Sequence, residues 1–261
     1  MEEPTNEWQE PPVPETIKPE EPAQMSEIAT LGNVFFDPGS TFDDLKRKPR
    51  FILAMILIAL SISAFQISFI EKVGLKKIVT AQFDASSRAQ QMPADQKAQQ
   101  IEMQSSTVAK YITYGVTPVV IVIGMFLGGL LYWGGANAMG GETGFLRSVS
   151  VWTYSSLPPT IVSMAANLIV LFLKPVDDID LGSTQQGLVS ANPTMFLDLK
   201  ESPVLNSVLS AIDLFAIWGL ALAAIGLSRV AKISSGTGWA VVLTISLFFL
   251  AIRVGWVAIF G

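Results

Sequence analysis

Five long apolar stretches are spaced along the chain, and each is close to 20 residues in length. About 20 apolar residues in an α-helix cross the roughly 30 Å hydrocarbon core of a bilayer. Because a chain in lipid must satisfy its own backbone hydrogen bonds, runs of this length predict transmembrane helices. The predicted fold class is therefore all-α, a polytopic membrane helix bundle with five transmembrane helices. The predicted spans cover residues 51–70, 111–133, 149–172, 208–228 and 239–260.

A juxtamembrane amphipathic segment, residues 26–50, precedes the five-helix membrane domain at residues 51–261. Apolar residues recur at helical spacing from Ile28 to Phe35, which predicts a short helix near the membrane surface.

A turn and a second short helix are predicted next. Asp37-Pro38-Gly39 is a strong turn signal. Ser40, with Asp43 three residues later, resembles an N-cap with an acid at N3, so the helix is predicted to begin there and to run through Leu45.

The first 25 residues have a different character, because they contain six prolines and seven glutamates. Such a segment cannot bury enough apolar surface to offset the entropy of ordering it, so we expect a disordered acidic tail. It has neither the basic start nor the apolar core of a signal peptide. A solubilising role is the simpler interpretation, and docking to a partner is the alternative.

Cations near the span ends predict the orientation. With the N-terminus in the cytoplasm, the extracytoplasmic loops hold eight cations, so a raw count is nearly balanced. The cytoplasmic cations, however, lie in short segments close to span ends, where the positive-inside rule has most force. We therefore expect a cytoplasmic N-terminus and an extracytoplasmic C-terminus. The cytoplasmic set is Lys46, Arg47, Lys48, Arg50, Arg147, Arg229 and Lys232.

Two polar loops connect the spans. Residues 71–110 contain good helix formers on both sides of Pro93, which predicts two helical extensions of the neighbouring spans that meet there. The loop at 174–203 is acidic, and its three aspartates at 177, 178 and 180 form a DDxD-like cluster that could bind a divalent cation. A solvated acidic loop is the simpler interpretation, so no metal is expected.

Small residues and prolines mark spans two and three. Gly124 and Gly128 lie four residues apart, a spacing that lets helix backbones approach closely and predicts helix packing. Pro158 and Pro159 remove backbone donors, so we expect span three to kink or break, with neighbouring hydroxyls satisfying the freed carbonyls. Such breaks usually shape a bundle, and in some proteins they mark a permeation or binding site.

Two charges lie inside the last two spans, where an isolated charge costs several kcal/mol. Asp213 and Arg253 each lie 16 residues from the turn that joins these spans, taken as residues 229–237. At about 1.5 Å per residue both are expected roughly 24 Å from that turn, at matched depth. A structural ion pair is the simplest interpretation. The alternatives are a proton relay or ion-coupling site, or snorkelling without contact.

Composition narrows the chemistry. Half of the residues are hydrophobic, 15% are charged, and the chain has no cysteine and no histidine. Disulfides, thiolate metal sites and the commonest general base are thereby excluded. No nucleophile, base and metal set converges in the sequence, so we expect no enzymatic activity and no cofactor. The expected partners are the lipid bilayer and other membrane proteins or a second copy of the chain, without nucleic acid.

Several segments form a recognisable order along the chain. They are Phe35 to Leu45 with Pro38 and Phe42, then Pro49, Gly140, Gly141, Tyr154, Leu157 and Pro158, and finally Asp213 to Trp218 and Ile225 to Ser228. Together they resemble the Yip1-domain family of membrane proteins, over roughly residues 30–261. The resemblance implies a cytoplasmic N-terminus and supplies no catalytic motif. Eukaryotic members are associated with Rab GTPases and vesicle traffic, whereas the long Gln/Ala-rich loop here is more similar to bacterial members, which implies a bacterial inner-membrane location.

The leading functional hypothesis is a non-enzymatic integral membrane protein that organises partners or membrane shape. The alternative is a transporter or permeation subunit that uses the broken third span and the Asp213/Arg253 pair. A membrane enzyme that acts on lipid or peptide is the third hypothesis, and it lacks a nameable catalytic set.

Overall fold

The computed structural model describes residues 22–86, 89, 91–179, 181, 187–189, 191–197 and 202–260. The first 21 residues of the predicted acidic tail, and Asp180 of the aspartate cluster, lie outside these ranges. The described residues form helices and turns and contain no β-strand. The helices are α1 (Glu27–Asn33), α2 (Pro38–Arg47), α3 (Ile52–Val73), α4 (Leu75–Ala85), α5 (Ala94–Gln104), α6 (Thr107–Ala138), α7 (Phe145–Leu173), α8 (Pro203–Leu209), α9 (Leu214–Val230) and α10 (Ser235–Phe260), with short 3-10 turns at Val176–Asp178 and Pro193–Phe196.

Four helices, α3, α6, α7 and α10, are long and apolar enough to cross a membrane. Helices α8 and α9 together form a fifth candidate span, with a bend of 47° between them. The molecule is thus an all-α polytopic membrane bundle. The fourth span differs from the expectation of one helix from Val208, because residues 210–213 interrupt it and the long helix begins only at Leu214.

The bundle has two ends, which we name by what they carry. The N-terminal face carries α1, α2 and the short turns at residues 139–144 and 231–234. These turns are joined, since the Glu142 N–H donates to the Ala231 carbonyl at 2.9 Å. The loop face carries α4, α5 and the described parts of the connection between α7 and α9.

Helix α7 lies at the centre of the bundle, in contact with α3, α6 and α9. Its neighbours approach closely because small residues face it. A Cβ atom at Gly129 would lie 2.7 Å from the Val149 Cα, and one at Gly128 would overlap the Trp152 ring. Gly124 does not share this role, because a Cβ there would meet nothing within 4 Å. The predicted glycine pair therefore packs through Gly128 and its neighbour Gly129.

Helix α2 and the turn that precedes it lie along the side of α9, and α1 packs on α2. Phe42 is fully buried, and its ring fills the space that a Cβ at Gly226 would need, 2.9 Å from the ring carbon Cε1. Further along α9, Phe35 meets Trp218 edge to face with ring centroids 6.3 Å apart. Gly226 and Trp218 are eight residues apart, about 12 Å along the helix, so the pair covers a long stretch of α9.

A buried carboxylate fastens the start of the chain to this pair. Asp44 is fully buried and accepts hydrogen bonds from the Arg50 guanidinium and from the N–H groups of Gln24 and Met25. Arg50 also donates to the Met25 carbonyl. The last residues of the predicted disordered tail are thus hydrogen-bonded, and Arg50 is an internal structural cation.

The cap of α2 also differs from the expectation. Asp37 is the N-cap, with its carboxylate accepting from the Ser40 N–H at 3.2 Å, and Pro38 occupies the first helical position. Proline suits that position because its missing N–H would have no partner there. The predicted turn at Asp37-Pro38-Gly39 is therefore the helix start, three residues earlier than the Ser40 cap.

On the loop face, α4 and α5 form the two helices expected around Pro93, linked by a 2.7 Å ion pair between Lys97 and Asp84. They are not continuous with the spans. Gly74, at a φ of 90°, ends α3, and Ser106 is the N-cap of α6. The predicted extensions are thus separate helices.

The Phe42 contact generates a stability prediction. Gly226→Val should destabilise the protein by about 1–3 kcal/mol, because the new side chain must displace Phe42 and Val151. The apparent melting temperature in detergent would fall accordingly. Gly124→Val is the matched control and should melt like the parent. A double change with Phe42→Ala should lose less than the sum of the single losses, and strict additivity would contradict direct packing.

Candidate functional site

A groove of about 360 Å³ lies between α6, α7, α9 and α10. Its size is within the range of small-molecule and cofactor sites. The described residues that line it are all uncharged. They are Tyr132, Trp152, Ser155, Ser156, Pro159, Thr160, Ser163, Phe215, Ala216, Gly219, Leu220, Ile245, Ser246 and Phe249.

Helix α7 supplies most of the polar lining, because its hydroxyls recur at intervals of three and four residues and so share one face. Ser155 and Ser156 donate to the Trp152 carbonyl at 3.0 and 2.8 Å, and Ser163 donates to the Thr160 carbonyl at 3.2 Å. These protons are used within the helix. The oxygen atoms of these three serines can therefore only accept hydrogen bonds from an occupant.

Two other hydroxyls have no hydrogen-bond partner among the residues that the structure describes, those of Tyr132 and Thr160. Tyr132 is only 5% exposed, and its ring packs on Trp152 with centroids 4.6 Å apart. A hydroxyl that borders a cavity and has no protein partner can donate to a molecule in that cavity. The groove therefore has two hydroxyls available to an occupant.

The two prolines do not break α7, which is one continuous helix from Phe145 to Leu173. Both prolines are buried, and neither can donate to the carbonyl four residues earlier, at Tyr154 and Ser155. The neighbouring hydroxyls do not satisfy those carbonyls, as expected from the sequence, because they bond to Trp152. Gly219 of α9 faces this point, since a Cβ there would lie 3.6 Å from the Ser155 carbonyl oxygen.

Asp213 lies at the loop-face rim, two residues before the groove residue Phe215. It is the N-cap of α9, outside the helix, and accepts from the N–H groups of Phe215 and Ala216 at 2.9 and 3.3 Å. Its second oxygen accepts from the Ala191 N–H and the Asn192 amide. The carboxylate thus joins the helix start to the connection above it.

Arg253 lies near the same rim but does not pair with Asp213. Its guanidinium donates to the Ser210 hydroxyl at 3.0 Å, and within the described part of the chain these two charges form no ion pair. The predicted ion pair is therefore wrong as a direct contact. Because Ser210 is three residues from Asp213, the two charges still belong to one region of the loop face.

The other sequence-predicted residues have structural positions. Pro159 lines the groove, and Gly128 supports it by contact with Trp152. Trp218 and Phe42 pack in the interface between the N-terminal helices and α9. Pro38 begins α2, and Gly124 points away from the bundle.

Two members of the aspartate cluster, Asp177 and Asp178, are described, and both lie on the loop face. Asp177 pairs with Lys77 at 3.1 Å, and its side chain is 95% exposed. Among the described residues no group of three or more acidic side chains is placed to hold a metal ion.

The residues that sequence reasoning missed are Tyr132, Thr160 and Ser246. The three-and-four spacing of hydroxyls on span three was a usable signal for Thr160. No sequence signal marks Tyr132, because its place depends on how α6 packs on α7.

The cap at Asp213 leads to a test of the two charges. Asp213→Ala should cost about 0.5–2 kcal/mol of stability, the range for losing a helix N-cap, whereas Asp213→Asn should cost less because it keeps an acceptor. Exchanging the charges, as Asp213→Arg with Arg253→Asp, should recover none of the stability that is lost with the cap. Melting in detergent and folded yield measure both. Recovery in the exchanged protein would contradict the cap as the main role.

Comparison with known proteins also indicates a membrane protein. Residues 32–259 match the Yip1 domain, which is most of the chain. The chain is also similar to "Membrane protein YknW" of Bacillus subtilis (strain 168), with 23% identity over 217 residues that cover 82% of this chain and 84% of that protein. No solved structure matches. The match extends from the end of α1 to the last span of this all-α bundle, which has four to five candidate spans. The chain belongs to the Yip1-domain family of multi-pass membrane proteins.

Proposed function

We propose that this protein is a non-enzymatic membrane protein that organises the bilayer or membrane partners through its N-terminal helix pair, α1 and α2. The supporting observation is the combination of firm attachment and outward apolar side chains. Phe42 fastens α2 to α9, and Asp44 fastens residues 24 and 25 to α2. Phe36, in the turn between the two helices, is 89% exposed, and Ile28 of α1 is 77% exposed. A fixed helix pair with exposed apolar groups is suited to contact with lipid or with another membrane protein.

The charge pattern supports the same proposal. The cations predicted to lie on the cytoplasmic side cluster at the N-terminal face, and Lys48 is exposed at the end of α2. Basic residues beside apolar ones favour contact with an anionic leaflet. With the N-terminal face in the cytoplasm, as the cations predict, the pair would act on the cytoplasmic leaflet.

The ionisable groups described above hold structure together, which fits a non-catalytic role. Asp44 binds backbone N–H groups, Asp213 caps α9, and Arg229 pairs with Asp43 at 3.0 Å. The lining of the groove is uncharged. The proposal needs none of these groups as an acid, a base or a nucleophile.

The absence of cysteine from the chain allows a clean test of the helix pair. A single Phe36→Cys change, labelled with a benzophenone photocrosslinker in native membranes, should give adducts to lipid or to a protein of discrete mass, at several times the yield of Lys48→Cys. Mass spectrometry identifies the adduct. Equal, low yields at both positions would show that Phe36 faces water, and would contradict the proposal.

The permeation alternative rested on a broken third span and on a paired Asp213 and Arg253. Its remaining support is the hydroxyl-lined groove. Under our proposal, proteoliposomes that contain the full chain should show no flux of protons, Na⁺, K⁺ or small solutes above protein-free vesicles. A flux that Thr160→Leu abolishes while folding persists would favour permeation instead.

A further inference from the structure

The groove continues toward the loop face as a row of side chains on α10. Ile245 and Phe249 line the groove, and Arg253 follows at the next interval of four. Residues four apart lie one above the other on a helix, about 6 Å apart along its axis. The apolar groove therefore ends, on this helix, beside a guanidinium group.

Most of the N–H groups of this guanidinium have no hydrogen-bond partner among the described residues. Of its five N–H groups, the one described hydrogen bond goes to the Ser210 hydroxyl, whose own proton is directed to the Ser207 carbonyl. The nearest carboxylate in sequence, Asp213, is engaged by two helix N–H groups, one loop N–H and one amide. Within the described residues Arg253 thus presents a positive charge that no carboxylate contacts.

The groove below it selects for a long, mostly apolar occupant. Its walls are mostly aromatic rings, aliphatic side chains and the backbone at Gly219, with serine and threonine hydroxyls of α7 and α10 among them, and its described lining carries no charge. Its two unpartnered hydroxyls, Tyr132 and Thr160, can each donate to an acceptor such as an ester carbonyl. A single molecule that fits both the groove and the guanidinium needs an anionic group, hydrogen-bond acceptors and an apolar chain.

We propose that the groove and Arg253 form a binding site for a single anionic phospholipid from the leaflet at the loop face. The phosphate pairs with the guanidinium, where planar, bidentate recognition is possible. One acyl chain lies in the groove between α7, α9 and α10. The headgroup end of the site is separate from the N-terminal helix pair, because Arg253 lies near the loop face.

The test is native mass spectrometry of the full chain in detergent, titrated with phosphatidylglycerol or phosphatidylcholine of the same acyl chains. We expect one phosphatidylglycerol per chain, bound about tenfold more tightly than phosphatidylcholine. Arg253→Gln should remove this preference. Gly219→Leu, which fills the groove beside Pro159, should weaken both lipids about tenfold.

Matched controls separate the site from general effects. Arg229→Gln removes a cation at the other face, and Gly124→Leu adds the same side chain where a Cβ meets nothing within 4 Å. Gly124→Leu should bind like the parent, as should Lys76→Gln, which removes an exposed cation of α4 at the same face as Arg253. Arg229→Gln should keep the preference for phosphatidylglycerol, and glycerol phosphate without acyl chains should not compete. Equal affinity for the two lipids in the parent, or an unchanged preference in Arg253→Gln, would overturn the headgroup assignment. Unchanged binding in Gly219→Leu would overturn the groove assignment, and competition by glycerol phosphate would reduce the site to an anion site.

Discussion

Close approach of helix backbones around α7 is the constraint on which the rest of the bundle depends. Lipid supplies no hydrophobic driving force between spans, so α6, α7 and α9 must gain their association from dense packing. Gly129 lets α6 approach the Val149 backbone, and Gly226 lets α9 accept Val151 and Phe42 together. A side chain at either glycine would push the central helix away from its neighbours and open the groove that they enclose.

The same packing explains why α7 tolerates two prolines in one continuous helix. The lost backbone bonds fall where α7 is enclosed by other spans, so its neighbours hold it in one continuous helix. The freed Ser155 carbonyl then faces Gly219 at the groove. A carbonyl that has lost its backbone hydrogen bond is therefore part of the polar lining of the groove between the four helices.

Much of the fold follows from local pattern. Apolar runs of 20 residues fix where helices lie, whatever their packing. The apolar spacing from Ile28 to Phe35 and the turn at residues 37–39 were enough to predict two short N-terminal helices, although not their packing against α9. The cap at Asp213 was also a local signal, because one carboxylate oxygen accepts from the N–H groups two and three residues later, and the ion-pair interpretation missed it. The second oxygen contacts the Ala191 N–H and the Asn192 amide, more than 20 residues earlier, and a count along the chain has no access to that contact. Tyr132 and Arg253 are similar cases, because each acquires its meaning from a neighbouring helix.

The burial of Phe42 against Gly226 has a consequence for how the protein is made. These residues are 184 positions apart, so at roughly 5–20 residues per second the first half of the contact exists for about 10–40 s before the second emerges. Helix α2 cannot take its final place until the fourth span has been inserted. During biogenesis the N-terminal pair must wait with its apolar face uncovered, on the membrane surface or on a chaperone, and docking onto α9 is therefore a late step of assembly.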